Sequence, residues 1–190
     1  MSSRLLPFLE QLKYLHLAWF SKPAGDRLAY KTVRKRKTTR ILELGLGQGR
    51  RTERLIRLAA IVQPQERISY AAIDLFEMRA ADSGVGLSIK AAHCQLSELP
   101  AKVRLIPGDP YSGLARMANS LGPHDLVIVS ADQDRESLAK AWFYVPRVLT
   151  PEAIVLLEEP AGENGELALR PIARADIEQW ARAAAPRRAA

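Results

Sequence analysis

A glycine-rich segment carries the most distinctive chemistry in this sequence. It reads ILELGLGQG from Ile41 to Gly49 and places an acid, Glu43, at the end of an apolar run, followed by Gly45, Gly47 and Gly49. Glycine lets a backbone turn tightly and approach a ligand with no Cβ in the way. Dinucleotide-binding proteins place the third glycine three residues after the second, whereas here the spacing is two. We therefore predict a ligand-binding turn of another type, with a tight turn of no functional meaning as the alternative.

Three polar residues follow later apolar runs in the same way, namely Asp74, Asp109 and Ser130. In a parallel sheet the carboxyl ends of the strands meet at one edge, where ligands bind, so we expect these side chains near the glycine turn. A carboxylate at Asp74 can accept hydrogen bonds from both hydroxyls of a ribose. The alternatives are a helix cap or surface acid at Asp74, and an N-cap of the following helix at Asp109.

The elements that would position these residues alternate regularly along the chain. Short apolar runs typical of buried strands alternate with apolar residues at helical spacing, which indicates the α/β class. The predicted strands are Ile41–Leu44, Ile68–Ile73, Val103–Ile106, Leu126–Val129 and Ala153–Leu157, and the predicted helices include Pro7–Phe20, Ser88–Leu99, Ser112–Ser120 and Arg135–Val148. We expect a Rossmann-like, doubly wound, mostly parallel sheet in the order 3-2-1-4-5, with helices on both faces.

The succession of strand, acid, three glycines and helix resembles motif I of the class I S-adenosylmethionine-dependent methyltransferases, and the resemblance covers residues 39–160. It implies S-adenosylmethionine as the cofactor, with Asp74 on the ribose and Asp109 near the adenine amino group. The cofactor-binding residues that it implies are Glu43, Gly45, Gly47, Gly49, Asp74, Asp109 and Ser130. Residues 39–190 would form the cofactor-binding domain, and residues 1–38 would contribute N-terminal helices and a basic segment that could serve as a lid.

The segment from His124 to Leu138 resembles the corresponding part of the catechol and caffeoyl-CoA type O-methyltransferases. That family carries a metal-ligating aspartate where this chain has Ser130, and a lysine where it has Gln133. The resemblance implies O-methylation of a small molecule, but the missing lysine leaves the catalytic residue unassigned. A non-catalytic module that keeps the cofactor pocket is one alternative, and an RNA methyltransferase is another.

Carboxylates near the ends of the fourth and fifth strands are candidate metal ligands. Hard divalent cations accept carboxylate oxygens in several geometries, and the candidates are Asp132, Asp134, Glu158 and Glu159. Because the family's metal-binding residues are replaced, we expect no metal, with a divalent cation as the alternative. Asp132 or Asp134 could instead cap the next helix.

Positive charge is concentrated in one run. The chain carries a formal net charge of +7, and the run from Lys31 to Arg40 reads KTVRKRKTTR. Such a run can contact the phosphates of RNA, of a nucleotide or of an acidic substrate, and a solvated face or linker is the alternative. Only one aromatic residue, Tyr30, adjoins it, which weakly supports stacking on bases.

Length and composition predict one compact cytoplasmic domain with no membrane segment. The chain has 190 residues, 47% of them hydrophobic, and its apolar runs are too short to span a bilayer. Its single cysteine, Cys94, is expected to be a buried apolar residue. We expect a sheet shortened at its C-terminal side, where the family adds two strands and Leu167–Leu169 could supply one. The edge of the fifth strand could be covered by Leu167–Leu169 folding back, by the Pro7–Phe20 helix or by a homodimer, and we expect the homodimer.

Overall fold

The computed structural model describes residues 12, 14, 16–79, 86–161 and 165–186. Within them, one sheet is formed by the strands β1 (Arg40–Leu44), β2 (Ile68–Asp74), β3 (Ala101–Pro107), β4 (His124–Val129), β5 (Leu149–Ala161) and β6 (Glu166–Ile172). The strand order is β3-β2-β1-β4-β5-β6. The first five strands are parallel, and β6 is antiparallel to β5. The predicted α/β class and the predicted order of the parallel strands are confirmed.

Helices cover both faces of the sheet, as expected. They are α1 (Arg27–Arg36), α2 (Arg50–Val62), α3 (Ile89–Ser97), α4 (Pro110–Leu121), α5 (Arg135–Ala141) and α6 (Arg174–Ala183). The first three pack in one hydrophobic core and the last three in another. Strand β4 serves both cores, because Leu126 and Ile128 face one and Val127 and Val129 face the other. Burial on both faces explains why this strand is an unbroken apolar run.

Two elements differ from their predicted bounds. The predicted helix Arg135–Val148 is too long, since α5 ends at Ala141 and Val145–Val148 forms a separate 3-10 helix. Pro146 explains the break, because proline has no N–H to donate and its ring clashes with the preceding helical turn. The predicted helix Pro7–Phe20 lies largely outside the described residues, and residues 16–20 are helical.

The edge of β5 is covered by the chain itself. The predicted strand at Leu167–Leu169 is confirmed and is longer, and β6 pairs with β5 from Val155 to Ala161. The backbone groups of β5 on that side are therefore hydrogen-bonded within the chain. The expectation of a homodimer rested on an uncovered β5, and that premise is wrong.

Cys94 is exposed on α3, contrary to the prediction. This helix buries Ala92 and Leu96, which lie one helical turn apart, so a residue midway between them faces solvent. In the part of the chain that the structure describes, no helix combines the length and the apolar character needed to cross a membrane.

Candidate functional site at the carboxyl edge of the sheet

The glycine turn joins β1 to α2 at the carboxyl edge of the sheet. Its residues Gly45, Gly47 and Gly49 have φ of +96°, +59° and +71°, a region that favours glycine. A Cβ on Gly45 would lie 2.4 Å from the Nε2 atom of Gln133 and 2.8 Å from the Cβ of Ser130. A Cβ on Gly47 would meet no heavy atom of the described residues within 4 Å. The turn is therefore packed against the end of β4 at Gly45 and open at Gly47.

Glu43 is fully buried beneath the glycine turn. Its carboxylate accepts hydrogen bonds from the Nε of Arg51 at 3.0 Å, from the hydroxyl of Tyr70 at 2.7 Å and from the hydroxyl of Thr52. Burial raises the pKa of the Tyr70 phenol, and the Glu43 carboxylate raises it further, so Tyr70 stays protonated as the donor. These contacts fasten the start of α2 to the end of β1 and thereby hold the glycine turn in place.

Arg51 connects the glycine turn to the ends of β4 and β5. Its guanidinium donates to the Oε1 of Glu158 and to the Oγ of Ser130, both at 2.7 Å, and lies 3.5 Å from the Oδ1 of Asp26. The Ser130 hydroxyl in turn donates to the Gly45 carbonyl at 2.9 Å. Burial alone would lower the pKa of Arg51, but the neighbouring carboxylates raise it, so the positive charge is permanent.

The Arg51 cluster, defined as Arg51 with Asp26, Glu43 and Glu158, was not identified from the sequence. Its members are spread along the chain. Glu43 was singled out by its place in the glycine segment and Glu158 as a candidate metal ligand, but neither was linked to Arg51. One guanidinium faces three carboxylates in a poorly hydrated region, and burial raises the pKa of Asp26 above its ordinary value although Arg51 lowers it. The single local signal was the position of Arg51 in the first turn of the helix that follows the glycines.

Asp74 ends β2 beside the glycine turn, as predicted, but its carboxylate is already engaged by Arg79. Its Oδ2 accepts hydrogen bonds from the Leu46 amide and from the Nη2 of Arg79, both at 2.6 Å. Its Oδ1 accepts from the Phe76 amide at 2.7 Å and from the Nε of Arg79 at 3.2 Å. Burial alone would raise the pKa of Asp74, but these hydrogen bonds lower it below its ordinary value, so the carboxylate is ionised.

Arg79 also reaches the loop that follows β4. Its Nη1 lies 2.6 Å from the Oδ2 of Asp132, and the Asp132 Oδ1 accepts from the Gln133 amide group at 2.7 Å. Arg79 thus bridges the ends of β2 and β4 across the glycine turn. Sequence reasoning missed this residue, although its position five residues after Asp74 was a possible signal.

Asp109 caps α4, which was the alternative that the sequence left open. Its Oδ1 accepts from the amides of Tyr111 and Ser112 at 3.0 and 3.1 Å, and its carboxylate also accepts from the hydroxyls of Ser112 and Ser137. Burial would raise the pKa of Asp109, but these hydrogen bonds lower it to about 2. The bond to Ser137 ties the start of α4 to α5, so Asp109 helps to fix the end of β3.

The four carboxylates considered as metal ligands have separate partners. Asp134 caps α5 as expected, and the partners of Asp132, Asp134, Glu158 and Glu159 are Arg79, the Ser137 amide, Arg51 and Arg170. Across the residues described here, no group of three or more histidine, cysteine, aspartate or glutamate side chains could hold a metal ion. The structure therefore does not bring the four carboxylates together as ligands of one divalent cation.

The basic run lies mainly on α1, where Lys31, Arg34 and Lys35 are exposed. Tyr30, the aromatic residue that adjoins the run in sequence, is fully buried. The aromatic residue that lies against the basic run is instead Trp19, which is 48% exposed and whose ring centroid is 4.6 Å from the Cζ of Arg34. Trp19 borders a cleft of about 440 Å³ together with Lys31, Arg34 and Lys35. The structure therefore adds an exposed aromatic ring to the basic face that the sequence predicted.

The sequence matches no protein-family profile and no curated protein. Solved structures with a similar fold include the O-methyltransferase TomG from Streptomyces achromogenes, involved in tomaymycin synthesis and in complex with S-adenosylmethionine (TM-score 0.52, 20% identity). Another is an O-methyltransferase from Bacillus cereus in complex with S-adenosylhomocysteine (TM-score 0.56, 15% identity). A third is a TehB-like S-adenosylmethionine-dependent methyltransferase from Corynebacterium glutamicum (TM-score 0.51, 17% identity).

These similarities cover 79%, 93% and 97% of this chain in the same order. The chain spans 65% of the length of the Streptomyces enzyme, 75% of the Bacillus enzyme and 84% of the Corynebacterium protein. At these identities the comparison establishes the fold, which is that of the class I S-adenosylmethionine-dependent methyltransferases. The fold implied by the glycine segment is confirmed.

Proposed function

We propose that the chain is an S-adenosylmethionine-dependent methyltransferase that acts on a small molecule by O-methylation. The observation that carries this function is the glycine turn lying beside Asp74 at the carboxyl edge of a methyltransferase-type sheet. Two of the similar structures hold S-adenosylmethionine or S-adenosylhomocysteine in this fold. The cytoplasmic location expected from the sequence stays part of the proposal.

The residues at this edge fit such a cofactor. Asp74 ends β2, and Asp109 follows the end of the neighbouring strand β3. The Asp74 carboxylate would hold the ribose, and Asp109 would lie near the adenine. The open side of Gly47 leaves room for a ligand to approach the backbone. The cofactor, when bound, supplies a methyl group on a positively charged sulfur. The excess of carboxylates in the Arg51 cluster gives this edge a negative potential that suits a cation.

Arg79 must leave Asp74 before a ribose can be held there. Both oxygens of Asp74 already accept hydrogen bonds from the Arg79 guanidinium. The backbone amides of Leu46 and Phe76 can stay in place, because each uses a different lone pair of the carboxylate. Cofactor binding therefore replaces the Arg79 N–H donors on Asp74 with the hydroxyls of the ribose. The protein's further contribution to transfer is to orient the acceptor and exclude water, and no proton-accepting residue is assigned.

Asp74→Ala tests this function. In an Arg79→Met background, where no guanidinium competes for the carboxylate, we expect it to weaken S-adenosylhomocysteine binding by about 1.5–3 kcal/mol, the usual size for losing charge-assisted hydrogen bonds, in isothermal titration calorimetry. In the wild-type background the loss should be smaller, because the ribose hydroxyls replace the two bonds from Arg79. Asp176→Ala, which removes an exposed carboxylate from α6, is the matched control and should leave the affinity unchanged. Unchanged binding by a folded Asp74→Ala in the Arg79→Met background would remove Asp74 from the site. Cofactor binding without methyl transfer to any component of a small-molecule extract would favour the non-catalytic alternative.

RNA as the methyl acceptor is the second candidate, and the contact of Trp19 with Arg34 favours it. Cations beside an exposed aromatic ring are the arrangement that binds single-stranded nucleic acid. Binding of a twelve-nucleotide oligouridylate should then weaken steeply with salt. Neutralising Lys35, Arg36 and Lys37 together should flatten the logarithmic salt slope by about two to three. A chain that ignores the oligonucleotide at low salt excludes this acceptor.

A further inference from the structure

A second concave site lies on the face of the sheet opposite the one covered by α2, the helix that follows the glycine turn. It is a cleft of about 680 Å³ between α5 and α6, above β5 and β6. Successive residues of β5 separate the two sites, because Glu158 points to Arg51 while Glu159 points to the cleft. Its volume falls in the range of small-molecule pockets, which is roughly 300–1,000 Å³.

Aromatic and aliphatic side chains line the interior of this cleft. The rings of Trp142 and Trp180 pack at a centroid distance of 4.8 Å and an interplanar angle of 57°, and both residues border the cavity. Leu138 and Leu157 complete the apolar lining from α5 and β5. Indole rings offer large flat apolar surfaces, which prefer offset or tilted contact with another ring. The lining therefore suits a planar aromatic molecule.

The charged side chains at the rim determine which charge a ligand should carry. Glu136 pairs with Lys140 at 2.7 Å, and Glu159 pairs with Arg170, so these four charges compensate one another. Arg135 also lines the cleft, and it forms no ion pair with any residue that the structure describes. The rim therefore keeps one positive charge that a ligand can neutralise. A guanidinium presents parallel N–H groups that match the two oxygens of a carboxylate.

We propose that this cleft is a binding site for a planar, fused-ring aromatic carboxylate, with the rings against Trp180 and the carboxylate on Arg135. The site needs no cofactor and does not include the glycine turn, so it goes beyond the proposed methyltransferase function. A neutral aromatic molecule would leave Arg135 without a counter-charge. An aliphatic acid would lose the contact with the indole rings.

Calorimetric titration of the full chain with naphthoate tests the site, with naphthalenemethanol as the uncharged isostere. We expect one naphthoate per chain, and about three- to fivefold weaker binding both for the isostere and for Arg135→Gln, because one charged contact to an exposed guanidinium is lost in each case. Arg135 is exposed, so its substitution should not disturb folding. Arg182→Gln removes an exposed cation of α6 outside the cleft lining and should bind like the wild type.

Two further experiments show where naphthoate binds. Trp180→Leu should weaken naphthoate binding at least tenfold, while Trp180→Phe, which keeps an aromatic ring and preserves the packing on Trp142, should retain most of it. Saturating S-adenosylhomocysteine should leave the naphthoate affinity unchanged. The site is refuted if naphthoate does not bind, if it binds Arg135→Gln as tightly as the wild type, or if S-adenosylhomocysteine displaces it. These outcomes do not depend on whether the chain transfers methyl groups.

Discussion

Replacing Arg79 by methionine should strengthen cofactor binding, because Arg79 and the ribose compete for Asp74. The substitution keeps an unbranched apolar side chain and removes the guanidinium. In the wild type this group makes hydrogen bonds of 2.6 and 3.2 Å to Asp74 and one of 2.6 Å to Asp132. The cofactor must break the two bonds to Asp74 before the carboxylate can hold its hydroxyls.

The magnitude follows from the burial of the pair. The Arg79 side chain is 10% exposed and that of Asp74 is 2% exposed, so water screens their attraction little. Hydrogen bonds to charged groups contribute about 1.5–3 kcal/mol each, but desolvation of a buried ion pair offsets much of that gain. A net cost of about 1–3 kcal/mol for displacing Arg79 corresponds to roughly 5- to 150-fold in affinity.

Calorimetry with S-adenosylhomocysteine, alongside thermal unfolding of the free protein, checks this expectation. Arg79→Met should bind more tightly by that factor while the free protein loses stability, since Asp74 then keeps only its backbone donors. Asp132→Asn is the graded control. It weakens an ion pair whose acid is 40% exposed but leaves both Arg79–Asp74 bonds in place, so the affinity should change by less than about fivefold. An Arg79→Met variant that binds several-fold more weakly than the wild type would show that Arg79 contacts the cofactor itself, and would refute the competition.

Three further outcomes are expected. Arg51→Met should lower the free energy of unfolding by about 3–5 kcal/mol in urea titration, because buried carboxylates lose their cation; a loss under 1 kcal/mol would contradict this. Burial lowers the pKa of His124, so the unfolded chain takes up its proton first and stability should fall from pH 7 to 5, by up to about 1.4 kcal/mol per pH unit. His124→Gln should flatten that decline, and an unchanged slope would exclude His124 as its source. Cys94 is exposed, so Ellman's reagent should modify it fully without denaturant, and protection would place it inside.

The positions of the strands and the glycine turn were predictable because both are encoded locally, and the strand order followed from the fold class. Strand β4 shows why a buried parallel strand is recognisable as an apolar run, since both of its faces are buried. Gly45 needed a positive φ and a missing Cβ, and both requirements show directly in the residue type. Helix capping by Asp109 was likewise predictable as an alternative, because the cap and the amides it accepts lie within three residues.

The remaining contacts of the candidate site were not predictable because they join distant parts of the chain. Arg51 meets Glu158 across 107 positions, and Arg79 meets Asp132 across 53. Nothing in the local sequence indicates which carboxylate a given arginine finds after folding. Cys94 was misassigned for a related reason, since residue type alone does not reveal which face of a helix is buried. The sequence left three ways of covering the edge of β5, and only the structure, in which β6 pairs with β5, decides between them.

Direct titration of the wild-type chain with S-adenosylmethionine and S-adenosylhomocysteine, each with and without Mg²⁺, tests the central claim. Binding at the glycine turn predicts one cofactor per chain with Kd in roughly the micromolar range, equivalent to about −8 kcal/mol, and no dependence on the metal. The same titration of Arg79→Met should show the tighter binding described above. An absence of heat and of thermal stabilisation with both ligands at millimolar concentration, in the wild type and in Arg79→Met alike, would contradict a cofactor site at this edge of the sheet.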